Sequence, residues 1–148
     1  MTARASPATG GCLCGAVRYA VDGPLRDVLV CHCHECQRWL GRACAATAAW
    51  RRDLRFAEER GLRWVASPQS DAGARRGFCG ACGSSLFWEA PGRETISIAA
   101  GTLDADHGLR TVGHIYVAQA GAYDPPPDDG TPRYPGSAPA GAIAMPGA

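Results

Sequence analysis

The sequence predicts a single, mostly β domain with short helical insertions, and three observations lead to it. The chain has 148 residues, 46% of them hydrophobic and 20% charged, ordinary values for one globular domain. Its apolar residues alternate or gather in short β-rich bursts punctuated by Gly and Pro. Seven of the eight cysteines fall in tight groups, the pattern of metal ligands that stabilise a fold.

In chain order the strand-like bursts are AVRYAV (16–21), VLVCHC (28–33), LRWVA (62–66), SLFWE (85–89), TISIAA (95–100) and VGHIYVA (112–118). Only CHECQRWLG and TLDADHG read as short helical turns. Residues 1–9 read as a tail and 10–135 as the domain. From Asp124 onward the composition changes, with seven of the eleven prolines and few large apolar residues. Residues 136–148 are accordingly expected to be disordered.

A net charge of +1 supplies no broad basic field, so neither nucleic acid nor an anionic membrane is expected as a partner. All fifteen basic residues are Arg, which removes Schiff-base and phosphate-loop lysine chemistry by inspection. MTARASPATGG holds no apolar core of signal-peptide length, and no stretch approaches the roughly 18 apolar residues that span a membrane. A cytoplasmic protein is expected, and in that reducing setting the cysteines read as metal ligands rather than disulfides.

The cysteines form the groups CLC (Cys12, Cys14), CHCHEC (Cys31, Cys33, Cys36), a lone Cys44 and CGAC (Cys79, Cys82). The CGAC turn resembles a zinc knuckle, which needs two further ligands. Cys12 and Cys14, read as i and i+2 on one face of an extended strand, can supply them. The alternative pairs Cys79 and Cys82 with the 31–36 group. Cys31, Cys33 and Cys36 would leave a fourth position open, the pattern of a catalytic zinc. Its occupant is a water, a substrate atom, Cys44, His34 or Glu35. Cys44 also reads as a small buried hydrophobe, and His34 and Glu35 as a solvated turn. His32, between two inward cysteines, is expected to face away.

Arg38 and Arg42 follow the open group and are candidates to meet a substrate carboxylate with their planar forks. Trp39 is a candidate pocket wall, while Arg76 reads as structural. His114, on an apolar stretch, reads as a satisfied core histidine, and Ser84 and Ser85 as caps of the knuckle turn.

Five segments in order, GGCLCGAVRY (10–19), CHCHECQRWLG (31–41), RGFCGACGSSLFWE (76–89), AAGTLD (99–104) and HIYVAQAGAY (114–123), resemble the glutathione-dependent formaldehyde-activating enzyme family, also called the CENP-V/GFA domain. The resemblance implies a β-tent fold stabilised by zinc. It implies a structural zinc on Cys12, Cys14, Cys79 and Cys82, and a second zinc on Cys31, Cys33 and Cys36, where catalysis would occur. It also implies a carbon–sulfur lyase activity that joins glutathione to formaldehyde as S-(hydroxymethyl)glutathione. The partners would then be a small thiol and an aldehyde. The chain departs from the family pattern at His34, where Ser is common, and at Ala120 and Tyr123, where Lys and Trp are common. Glutathione is therefore one possible thiol among others, and a non-catalytic zinc module that binds a protein is the alternative expectation.

Overall fold

A computed structural model describes residues 6–147; Met1 to Ala5 of the expected tail, and Ala148, lie outside the described residues. The described residues form ten strands, β1 (Ala8–Gly11), β2 (Arg18–Val21), β3 (Leu25–Cys31), β4 (Cys44–Trp50), β5 (Leu54–Glu58), β6 (Leu62–Ala66), β7 (Arg75–Cys79), β8 (Ser85–Glu89), β9 (Thr95–Ala99) and β10 (Thr111–Ile115), and one α-helix, α1 (His34–Leu40). Single 3₁₀ turns occupy Arg51–Asp53, Ala100–Thr102 and Val117–Gln119. The mostly β architecture expected from the sequence is the one observed.

The strands form a three-stranded sheet, β1-β2-β5, and a seven-stranded sheet, β10-β3-β4-β9-β8-β7-β6. Every pairing is antiparallel except that of β10 with β3. The core lies between the sheets. Tyr19 and Val21 of β2 and Leu54 of β5 pack with Phe87, Ile96 and Ile98 from the large sheet, and the Tyr19 and Phe87 rings meet edge to face at 5.2 Å. Strand β9 shows how one alternation serves two purposes. Ile96 and Ile98 are fully buried in the core, while Ser97 and Ala99, on the other face, line an open cleft.

The sequence-based expectations need three corrections. β3 ends at Cys31, and Cys33 is the N-cap of α1 rather than a second residue on a strand face. Cys12 and Cys14 lie in the turn after β1, not in an extended strand. TLDADHG forms bends and turns beyond its first residue, Thr102, which ends the 3₁₀ turn Ala100–Thr102.

The chain ends also differ from expectation. β1 begins at Ala8, inside the expected tail. The proline-rich segment covers the free edge of β10: His114 N donates to Pro132 O (2.9 Å), Tyr134 N to His114 O (2.9 Å) and Tyr116 N to Gly136 O (2.8 Å). Beyond residue 136, Met145 is buried. A composition poor in apolar residues suggests disorder, but prolines suit a strand edge, where a missing N–H leaves no ladder bond unmade.

Candidate metal centres

The first centre joins the two sheets. Cys12 and Cys14 follow β1, Cys79 ends β7, and Cys82 lies in the turn before β8. Their four sulfurs lie within 4.8 Å of one another. The Cys12 to Cys14 and Cys14 to Cys79 sulfur separations are 3.7 and 3.8 Å, and none of these cysteines is in a disulfide. A tetrahedron of thiolates around zinc has edges of about 3.8 Å, whereas a disulfide would bring the sulfurs to about 2 Å. The donor set therefore fits a metal. Backbone and hydroxyl donors already serve the sulfurs: Val17 N donates to Cys12 Sγ at 3.2 Å, and Ser84 Oγ lies 3.2 Å from Cys82 Sγ. These Ser84 contacts hold the Cys82 thiol down at about 5. Of the two pairings the sequence left open, the structure brings together Cys79 and Cys82 with Cys12 and Cys14.

The second group is built around the start of α1. Cys31 closes β3, Cys33 caps the helix by accepting from Cys36 N at 3.4 Å, and Cys36 sits buried in the first turn. These three sulfurs also lie within 4.8 Å of one another. Hydrogen bonds from the Cys31, Cys33 and Cys44 thiols hold Cys36 far below the ordinary thiol range, which makes it the most thiolate-like member. Cys44 stands opposite Cys31 on β4 but falls outside the group of three. Its thiol is pushed up by hydrogen bonding to the Cys36 sulfur and by burial.

This second group opens onto a cleft of about 750 Å³ on the outer face of the large sheet. Leu29, Cys31, Cys44, Ala46, Ser97 and Ala99 form its floor, and residues from Gln69 to Ala72 and from Ser137 to Gly141 border it. Trp39 lines the cleft, with its ring edge to face with Phe78 at 5.6 Å.

The expected arginines are placed elsewhere. Neither Arg38 nor Arg42 is among the lining residues, and Arg42 is paired with Asp124 at 2.7 Å. The arginines that do reach the cleft are Arg26, Arg76 and Arg93. Arg76 is buried and places both terminal nitrogens 4.0 Å from Cys36 Sγ. Its residue in RRGFC alternates with Arg75, which stacks on Trp64 at 4.1 Å on the other face. That alternation was the available signal, and it carries meaning only once β7 is recognised as a strand.

The other candidates for the fourth position are engaged differently. Glu35 accepts from Ser67 Oγ (2.8 Å) and Gln69 N (3.3 Å). His34 lines the cleft, its backbone N–H held by Gln119 Oε1 at 2.8 Å. His32 faces away, buried, with Nε2 at 3.1 Å from His114 Nδ1, and His114 Nε2 lies 2.8 Å from Asp129 Oδ2. The His114 imidazole holds the Asp129 carboxyl well below its usual range.

The family described as glutathione-dependent formaldehyde-activating enzyme matches residues 7–119. The crystal structure of a Rhodobacter sphaeroides protein is similar to this chain, with a TM-score of 0.55 and 26% sequence identity, covering 69% of this chain and 90% of that one. Comparison with curated proteins finds no match.

Proposed function

Because the chain belongs to the glutathione-dependent formaldehyde-activating enzyme family, we propose that it is a zinc-dependent carbon–sulfur lyase. It joins glutathione or another small thiol to formaldehyde or a related aldehyde. The observation that carries this reading is an asymmetry. The three-cysteine group lines the large cleft and the four-cysteine group does not. Cys12, Cys14, Cys79 and Cys82 would hold a structural zinc, and Cys31, Cys33 and Cys36 a second one with a position left for substrate.

In the reaction the thiol sulfur forms a bond to the aldehyde carbon, the carbon–oxygen π bond opens, and the thiol proton ends on the oxygen as a hydroxyl. Zinc held by Cys31, Cys33 and Cys36 would supply a lowered pKa for an incoming thiol. The chain's own residues position the partners. Leu29 and Trp39 supply apolar surface beside the sulfurs. A cleft of about 750 Å³ has room for a thiol of tripeptide size beside a small aldehyde. Arg93, which lines the cleft, would take the role of carboxylate partner that the sequence suggested for Arg38 and Arg42, since Arg26 is committed to the carbonyls of Asp27 and Ala46. Free thiols at all eight cysteines suit a reducing compartment such as the cytoplasm.

Exchange spectroscopy by NMR on the glutathione–formaldehyde equilibrium tests the proposal, since that reaction also proceeds unaided. Zinc-loaded protein is expected to accelerate exchange above background, and a folded Cys33→Ala variant at equal concentration to return it to background. Equal exchange with parent and variant would overturn the lyase reading and favour a non-catalytic zinc module.

A further inference from the structure

We propose that Arg76 is a positioning residue of the three-cysteine site, whose guanidinium favours an anionic sulfur over a neutral ligand at the remaining position. This rests on the reading of Cys31, Cys33 and Cys36 as metal ligands.

Three thiolates around a divalent ion leave a net charge of −1, and a fourth thiolate would make it −2. In a cleft partly shielded from water each added negative charge is costly unless a cation stands beside it. Arg76 is that cation. The planar, cationic fork of an arginine suits an anionic partner; only 8% of Arg76 is exposed, and both terminal nitrogens lie 4.0 Å from Cys36 Sγ. The remaining nitrogen, Nε, donates to Ser67 Oγ at 3.2 Å, which fixes the direction of the fork. The guanidinium carbon also lies 5.9 Å from the centre of the Trp39 ring.

The nearest carboxylate shares the guanidinium with the sulfur. Glu35 Oε2 lies 3.9 Å from Arg76 Nη2, about as far as Cys36 Sγ and more loosely held than Glu89, which lies 3.0 Å from Arg51 and 2.6 Å from Arg75. Glu35 directs its other oxygen to Ser67 Oγ and Gln69 N. Arg76 is thus steered by Ser67 on one side, and its terminal nitrogens stand between the Glu35 carboxylate and the Cys36 sulfur on the other. Groups outside the ligands that donate to metal-bound sulfur tune what the metal accepts. A lysine would supply the charge without the two-nitrogen fork.

The test uses cobalt-loaded parent, Arg76→Gln and Arg76→Lys, with metal content and visible absorption as readouts. The probes are 2-mercaptoethanol, a thiol with no carboxylate, and imidazole, a neutral ligand. For Arg76→Gln the thiol dissociation constant is expected to rise about 10- to 100-fold while that for imidazole moves less than about threefold. Arg76→Lys should recover part of the thiol affinity. Equal weakening of both probes, or of neither, would overturn the proposal. If Arg76→Gln does not fold, Arg76→Lys decides alone, since loss of the fork should weaken the thiol and spare imidazole. A parent that takes up one cobalt per chain, or whose spectrum ignores the thiol, would overturn the metal reading itself and the role of Arg76 with it. A responsive parent with indifferent variants would overturn only the role of Arg76.

Discussion

Cys33 shows how closely fold and chemistry share atoms here. Its sulfur caps α1 through Cys36 N and belongs to the three-cysteine group, so one side chain sets both the helix start and a candidate ligand position. Asp104 plays a different part, closing the turn after Ala100–Thr102 onto the small sheet. It accepts from Thr9 Oγ1 at 2.6 Å and from Arg18 NH1 at 3.0 Å. The Arg18 hydrogen bonds, with that of Thr9, lower its carboxyl from 3.8 to about 2. A folded-state value below the ordinary one stabilises the fold above that ordinary value, and the contribution fades as pH falls from about 4 to about 2. Asp104→Asn is therefore expected to lose stability relative to the parent at neutral pH and to converge with it in acid. Denaturant unfolding from about pH 5 to about pH 2, with both proteins in the same metal state, checks this through the parent–variant difference. A constant difference across that range would contradict it.

At the scale of elements, α1 is the piece that most needs its ends. Seven residues are too few for an isolated helix to persist. Its C-cap is Gly41, with φ at 82° and its N–H bonded to Gln37 O at 2.7 Å. An L-residue there costs about 1–2 kcal/mol, although no atom lies within 4 Å of the position an added Cβ would take. Gly41→Ala should therefore destabilise through backbone strain alone, lowering metal affinity at the three-cysteine group while sparing the four-cysteine group, as chelator competition would report. A uniform loss at both groups would contradict this.

The helix was legible in the sequence because its polar, cysteine-bearing turn precedes a glycine stop. β6 and β8 were legible because LRWVA and SLFWE carry large apolar residues in short runs. β4, CAATAAW, was not, because alanine carries little strand preference and its burial comes from neighbours on both sides. β7, RRGFC, was missed because two arginines and a glycine break any apolar alternation, and the place of Arg76 at the cleft was missed with it. Spacing found the cysteine groups, since ligand geometry is local. The arginines that face the cleft depend on strand register, which a single short motif does not carry.

Over the whole molecule the two cysteine groups have unequal work. The four-cysteine group ties the turn after β1 to the β7–β8 turn across 65 residues of sequence, linking the small sheet to the large one. The three-cysteine group lies within one short segment on the outer face of the large sheet. A closed zinc site contributes about 10–16 kcal/mol of apparent binding free energy, comparable with the roughly 5–15 kcal/mol that separates a folded domain from its unfolded chain. Loss of metal from the four-cysteine group should therefore unfold the protein, and loss from the three-cysteine group should leave it folded. Graded chelation followed by metal analysis and far-ultraviolet circular dichroism distinguishes the two. One equivalent is expected to leave with the β signal intact, and the second to leave together with it. Cys79→Ser should fail to reach the folded state, because it breaks the link between sheets and also places a hydroxyl where Cys79 is fully buried in the core. Cys33→Ala should fold with one metal. A protein that keeps its β signal after losing both metals would show that the interface of Tyr19, Phe87, Ile96 and Ile98 holds the sheets without help, and the four-cysteine group would then need a role other than structural.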